Sequence, residues 1–538
     1  CPTKYLRINN QKYCWISRRK QLKKAFRQTD SGRSVYMNKI PVIDLFAGPG
    51  GLGEGFSSYV NELGDHPFKL VLSIEKDCFA YQTLRLRSFL REFDENTPPE
   101  YYRCLRGELH WDELFELFPE KASRASDIAW MAELGVTKHR EVDQRIKNAI
   151  HDSATWILMG GPPCQAYSIV GRSRMARIWE EKPEEKEKDR RHFLYREYLR
   201  IIKKHKPPVF VMENVRGILS SQISDGRIFD LIIDDLHNLG YRLYSFVKHS
   251  GEETGINNPE DFIIRCEKYG IPQARHRVII FGVSKRVKAA PKVLAPQPET
   301  IRLNSVIGDL PKIRSGLSKI TDTIDSWIAA LRKFNSEAMF DLDTSIKREI
   351  DEQLNGIPRT FGRGGEYVES TCSGPEFERG WFHDPQLKGV CNHSSRGHII
   401  ADLHRYLFAS CFAKVMKRSP RLSDFPKHLL PKHQNVTEGI QGKFADRFRV
   451  QLADAPATTI TSHISKDGHY FIHPDPSQCR SLTVREAARI QTFPDNYLFV
   501  GPRTSQYTQV GNAVPPLLAK RLAGKVYELL EDANLTGL

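Results

Sequence analysis

Residues 40–284 predict an α/β fold on a mostly parallel sheet, and three observations lead there. Short apolar runs recur, each bounded by glycine or proline and too short for a buried helix. Between them lie stretches rich in helix formers, the alternation expected of strand–helix–strand units. The residues capable of chemistry follow the apolar runs and do not interrupt them, as they do where ligands bind beyond the carboxyl ends of parallel strands.

The first strand is Val42-Ile43-Asp44-Leu45-Phe46. The glycines of Ala47-Gly48-Pro49-Gly50-Gly51-Leu52-Gly53 then let the backbone turn tightly and approach a ligand, with a helix starting near Leu52. The spacing is neither G-x-G-x-x-G nor that of a phosphate loop. A second strand, Leu70-Val71-Leu72-Ser73-Ile74, ends in Glu75. An acid there either binds ribose hydroxyls or caps a helix over 77–92, and the preceding glycine loop favours ribose. Residues 110–150 read as an inserted helical pair. Trp156-Ile157-Leu158-Met159 is a further buried strand, broken by Gly160-Gly161-Pro162-Pro163-Cys164-Gln165. That rigid turn sets a cysteine at its tip, the placement of a nucleophile or, equally on this stretch alone, of a buried structural thiol. A polar loop holds Arg172-Ser173-Arg174 and runs on to Arg191.

Residues 192–205 read as a helix. The strand Pro208-Val209-Phe210-Val211-Met212 delivers Glu213-Asn214-Val215, a second acid at a strand end. Tyr269-Gly270-Ile271-Pro272-Gln273-Ala274-Arg275-His276-Arg277 leads into the strand Val278-Ile279-Ile280-Phe281. Arg275 and Arg277 alternate along an extended segment, so they share a face and need anionic or carbonyl partners, Glu213 among them. From 285 to 475 periodicity weakens, as in Arg363-Gly364-Gly365, and a separate irregular domain is expected. Regular structure returns with a helix at 482–490, N-capped by Thr483 with Glu486 three residues later. Gln509-Val510-Gly511-Asn512-Ala513-Val514-Pro515-Pro516 and a closing helix over 517–532 follow.

Composition narrows the partners. The 538 residues carry a net charge of +15, which suggests a polyanion. Residues 1–39 hold eleven Lys or Arg against the single acid Asp30, with Tyr5, Tyr13, Trp15 and Phe26 interleaved, so this basic arm leans towards nucleic acid. No apolar run approaches the roughly 20 residues of a membrane helix, and the N-terminus lacks the apolar core of a secretory signal. Ten cysteines without a CxxC pair point to a reducing compartment and not to a disulfide framework. Cys372, Cys391, His393 and His398 fit no usual zinc spacing, so no metal is expected.

Taken in order, Asp44-Leu45-Phe46-Ala47-Gly48-Pro49-Gly50-Gly51, Pro162-Pro163-Cys164-Gln165, Glu213-Asn214-Val215, Gln273-Ala274-Arg275-His276-Arg277, Arg485-Glu486-Ala487-Ala488-Arg489 and Gly511-Asn512-Ala513-Val514-Pro515 resemble the motifs of the DNA (cytosine-5) methyltransferase family. The resemblance spans 40–283 and 480–525. It implies the Rossmann-like sheet of class I S-adenosylmethionine-dependent methyltransferases over 40–284, a target-recognition domain over 285–475 and a return to the catalytic domain over 476–538. It implies S-adenosylmethionine as methyl donor, with S-adenosylhomocysteine as product, and double-stranded DNA as substrate. It further implies a bacterial cytoplasmic, nucleoid-associated enzyme in a restriction–modification or phage-defence setting with companion proteins.

The same resemblance assigns residues. Cys164 attacks C6 of cytosine, Glu213 serves N3 and the N4 amino group, Arg277 holds O2, and Arg275 orients the acid and nearby backbone. Phe46, Gly48, Pro49, Gly50 and Gly51 hold the methionine part of the donor and Glu75 its ribose. Lys76 stands where the family often has an aromatic residue on adenine, and Gly107-Glu108-Leu109 takes the place of Gly-Asp-Ile, with Glu108 towards adenine N6. Pro163, Asn512 and Val514 complete the donor site. Gln165, Ser168, Arg172 and Arg174 fall on the loop that closes over a flipped base, and Thr458-Thr459-Ile460-Thr461 resembles the family's late threonine pair. Ala166-Tyr167-Ser168 and the long recognition region set the chain apart from tRNA-methylating relatives. A cysteine in place of the aromatic of an Asp/Asn-Pro-Pro motif disfavours amino-methylation, and retention of both Cys164 and Glu213 disfavours an inactive paralogue.

Overall fold

The computed structural model describes residues 39–93, 96–163, 194–223, 226–249, 258–334, 342–431 and 446–536. The apolar runs form one eight-stranded sheet. Its members are β1 (Ile40–Leu45), β2 (Phe68–Glu75), β3 (Ala129–Met131), β4 (Ile157–Gly160), β5 (Val209–Val215), β6 (Tyr241–Tyr244), β7 (Ile263–Arg265) and β8 (His276–Ser284). The order is β3-β2-β1-β4-β5-β8-β6, with β7 paired to β8. The first five run parallel, whereas β8 is antiparallel to each of its neighbours. Strand order reverses between β1 and β4, the position at which an open α/β sheet forms a ligand crevice.

The central strands are apolar without alternation because both faces are covered. On one face Val42, Ile157, Met159, Val209 and Val211 pack with Leu52 and Phe56 of α1 (Gly51–Ser57). α2 (Cys78–Arg91), α3 (Pro99–Leu105), α4 (Trp111–Leu117) and α5 (Pro119–Ile128) follow β2 and share a small core around Phe89, Tyr101 and Leu114. The other sheet face, with Ile43, Leu45, Leu158 and Phe210, is covered by α6 (His139–Ile150), α7 (Leu194–His205) and α8 (Ile228–Asn238). Segment 110–150 is therefore more than an inserted helical pair. It contains the sheet strand β3 and the crossover helix α6, and β3 escaped notice because three residues at a sheet edge carry no readable period.

Region 285–475 is also more regular than expected. α9 (Ile324–Arg332), α10 (Thr344–Asn355) and α11 (Ile400–Met416) pack with Phe425, Phe448 and Cys479. α11 buries every residue from Tyr406 to Ala413, so it shows no amphipathic stripe to read. α12 (Val484–Ile490) has the expected capping box, with Thr483 and Glu486 bonding reciprocally. Its three charged residues are all buried. Arg485 donates to the carbonyls of Cys391, Pro494 and Tyr497 at 2.7–3.0 Å. Glu486 receives Arg480 at 2.6 and 2.7 Å, and Arg489 grips Asp495 at 2.8 and 2.9 Å. α13 (Arg503–Asn512) and α14 (Pro516–Asp532) close the chain, α14 lying along α1 with Leu517, Leu518 and Leu522 in the same core. Among the described residues no helix is long and apolar enough to cross a membrane.

Candidate active site

Strand register lines up the residues that follow each strand. Leu45 pairs with Ile74 and with Gly160, and Gly160 pairs with Met212. The next residues, Phe46, Glu75, Gly161 and Glu213, therefore stand side by side along one sheet edge. Phe46 is held at φ 56°, a left-handed conformation that costs a bulky residue about 1–3 kcal/mol and gathers at ligand sites. Glu75 takes the Gly48 N–H on Oε2 and those of Lys76 and Asp77 on Oε1, each at 2.8 Å. Burial pushes its carboxyl up, and the three amides offset part of that rise.

Below the loop, α1 is anchored from elsewhere in the chain. Glu54 binds Arg87 at 2.5 and 2.9 Å and Arg91 at 2.5 Å. Burial alone would raise the Glu54 carboxyl, but the two guanidiniums hold it at about 2. Arg87 lies 4.8 Å over the Tyr497 ring, whose hydroxyl donates to Pro49 O. Val514 O approaches so closely that a Cβ on Gly51 would meet it at 2.1 Å; only glycine fits. Asp44 lies fully buried on β1 with no hydrogen-bond partner of good geometry, and burial raises its carboxyl to about 8, the nearby Gly53 N–H notwithstanding.

On the other side of the switch point, β4 passes into Gly161-Pro162-Pro163. Asn214 at the end of β5 donates to Pro162 O at 3.1 Å and so ties this turn to the acid beside it. A Cβ on Gly161 would lie 2.8 Å from Glu213 Oε2. Arg277 Nε stands 2.9 Å from Glu213 Oε1, an ion pair whose N–H is not aligned as a hydrogen bond. Both side chains remain slightly exposed, at 11% and 12%. Arg275 points its donors elsewhere, to the carbonyls of Ile460 at 2.6 Å, Ala513 at 2.8 Å and Gly511 at 3.2 Å. Burial and the charge of Arg277 lower its guanidinium to about 9. It makes no hydrogen bond to the acid, so of the two expected tasks only the bracing of backbone has direct contacts. Thr459 completes this brace by donating to Ala274 O at 2.6 Å.

Two expected donor residues lie away from the strand ends. Glu108 and Leu109 lie in the turn between α3 and α4 and not at a strand end, with Glu108 exposed and bound to Arg106 at 2.5 Å. α4 and α5 stand between the Gly107-Glu108-Leu109 segment and the third strand. The acid that follows β3 is Glu133, paired with Lys76 at 3.1 Å. Lys76 itself is exposed at the sheet edge. Asn512 is exposed at the end of α13, and Val514 is buried against α1. Sequence reasoning passed over Asn214, Glu133 and Tyr497; Asn214 alone had a signal, its place in Glu-Asn-Val. Cys164, Gln165, Ser168, Arg172 and Arg174 lie outside the described residues, as do residues 1–38 of the basic arm. Cys391 donates to Leu105 O, and His393 bonds Thr483 and Pro311 O. Among the described residues no group of three His, Cys, Asp or Glu is placed to hold a metal ion.

Known proteins resemble this chain in sequence and fold. The C-5 cytosine-specific DNA methylase family matches residues 129–528. The type II methyltransferase M.Bpa9945I of Bacillus paralicheniformis is 33% identical over 91% of this chain and 99% of its own length. M.DdeI of Desulfomicrobium norvegicum is 26% identical over 92% and 90%. A crystal structure described as a DNA modification methyltransferase encoded within an E. coli prophage shares the fold, with a TM-score of 0.50, 19% identity, and coverage of 92% of this chain and 100% of that one. The chain belongs to the C-5 cytosine-specific DNA methylase family and is, as such, a DNA (cytosine-5)-methyltransferase.

Proposed function

We propose that the chain methylates C5 of a cytosine flipped out of duplex DNA, through a covalent bond between Cys164 Sγ and C6. The observation that carries this reading is the Glu213–Arg277 pair, set beside the turn that leads into Cys164. S-adenosylmethionine supplies an electrophilic methyl group. The residues fit such a donor: Glu75 is fixed at the strand tip by three amides. The space where a side chain on Gly48 would begin is open to 4 Å. Phe46, Pro49, Gly50, Gly51, Pro163, Asn512 and Val514 would surround its methionine part, and Glu133, in place of Glu108, would face adenine N6.

C5 of cytosine is a poor nucleophile. Addition of the Cys164 thiolate to C6 makes C5 enamine-like. Glu213 holds a proton at N3 and accepts from the N4 amino group, which lowers the cost of that addition. Arg277 donates to O2, and its pairing with Glu213 keeps the acid oriented. Loss of the C5 proton to water, followed by β-elimination, frees Cys164. Extrusion of the base costs about a few kcal/mol, and Gln165, Ser168, Arg172 and Arg174 would cover it. Residues 285–475 would read base edges, the arm of 1–39 would contact phosphate, and residues 476–538 would return to the catalytic domain at 40–284. Likeness to relatives named type II methyltransferases supports a bacterial restriction–modification or phage-defence setting, with companion proteins.

Duplexes carrying 5-fluorocytosine test the covalent step, because fluorine cannot leave C5 as a proton does. With labelled donor, wild type should form a stable adduct and Cys164→Ser none. Equal trapping by both proteins would overturn the assignment.

A further inference from the structure

Away from the sheet edge, guanidiniums crowd around one backbone carbonyl. Arg503 Nη1 donates to Ser395 O at 2.7 Å, and Arg363 Nη2 stands 3.4 Å from the same oxygen. Arg396, the next residue, lies 4.2 Å over the ring of Tyr507 and donates to Ile464 O. Arg503 and Tyr507 are one turn apart on α13, so all three arginines gather at the N-terminal end of that helix.

Acid does not balance them. Asp322 pairs with Arg363 at 2.9 Å but is shared with Arg314 at 2.6 Å. Glu366 already accepts from Asn392 at 2.9 Å and Gln506 at 3.0 Å. Burial, and beyond it the charges of Arg396 and Arg363, lower the Arg503 guanidinium below its ordinary value. Each guanidinium carries five N–H donors in a planar fork suited to phosphate oxygens. Like charges held this close are relieved when an anion enters between them.

The cluster is also well placed. The far end of α13 delivers Asn512 and Val514 to the proposed donor site, and ten residues of helix span about 15 Å. That is under half of a B-DNA turn of roughly 34 Å. Ile464, the acceptor of Arg396, lies in the Ser462–Ser465 turn that follows the segment bonded to Ala274 and Arg275.

We propose that Arg363, Arg396 and Arg503 clamp one backbone phosphate of the DNA duplex and so fix its register on the enzyme without reading sequence. This rests on the reading that the chain acts on duplex DNA. The test is the salt dependence of binding to a 30-bp duplex of arbitrary sequence, for the full chain and for Arg363→Gln and Arg503→Gln. Arg363 is exposed and Arg503 partly so, and glutamine keeps a polar side chain of similar stem at each, so the fold should survive in both. Each variant should bind more weakly, with the slope of log K against log salt shallower by up to about 0.9, the value of one whole phosphate contact. Slopes equal to wild type in both variants would overturn the clamp. A wild-type chain that binds no duplex would overturn the DNA reading itself, and the clamp with it.

Discussion

Gly161 gives the sharpest test of the catalytic geometry, because it touches the acid without taking part in chemistry. Its φ is not positive, so the backbone accepts alanine. The added methyl would begin 2.8 Å from Glu213 Oε2, about 0.6 Å short of the 3.4 Å at which ordinary contact starts. Glu213 Oε2 is the far end of a flexible side chain, so the fold yields there cheaply and the carboxylate swings away. A misplacement of about 1 Å can cost 10²-fold in rate. Gly161→Ala should therefore lower kcat by about 10- to 100-fold, roughly 1.4–2.7 kcal/mol of barrier. Thermal stability and duplex affinity should stay near wild type. Single-turnover transfer of a tritiated methyl group measures the step directly. An unchanged rate would refute the reasoning, and so would a loss that merely follows weaker DNA binding.

Three further outcomes are expected. Glu133→Ala should raise the KM for S-adenosylmethionine while Glu108→Ala leaves it unchanged; the reverse in donor titrations would restore the sequence-based assignment. The Asp44 carboxyl is raised to about 8 by burial, so the stability it allows at low pH is lost as pH climbs from about 4 to about 8. Asp44→Asn should thus gain stability over wild type at pH 8 and little at pH 4, as read from urea midpoints. His393 and His473 are lowered by burial to about 4 and His398 to about 3. Their unfolded forms bind protons first, so stability is full above about 6.5 and falls as pH drops towards 4, by several kcal/mol at about 1.4 per unit. A melting temperature that is flat between pH 6.5 and 4.5 would contradict this.

The parallel strands were legible because burial on both faces writes them as unbroken apolar runs, and their carboxyl ends carried the acids and glycines with them. Glu75 and Glu213 could be placed on that ground alone. β3 could not: three residues after a polar helix give no period, so Glu133, the acid that follows it, carried no signal of its place at a strand end. α11 was hidden for the opposite reason, since a helix buried on most sides looks like no element in particular. The charged residues of Arg485-Glu486-Ala487-Ala488-Arg489 gave no hint that each is a buried tie between distant segments. Such roles depend on partners, Cys391 and Asp309 among them, that only the folded chain brings near.

The late return of the C-terminus has a consequence for synthesis. Tyr497 meets Pro49 across 448 residues, and Asn61 meets Tyr527 across 466. Contacts of such long range slow folding, and domains completed late leave apolar surface uncovered while the ribosome works. Leu52 and Phe56 on α1 wait for Leu518 and Leu522, residues made far later in translation. Until then a nascent chain carries its glycine loop with the floor beneath it missing. A product truncated before α14 should therefore be a client of chaperones and not a weak methyltransferase.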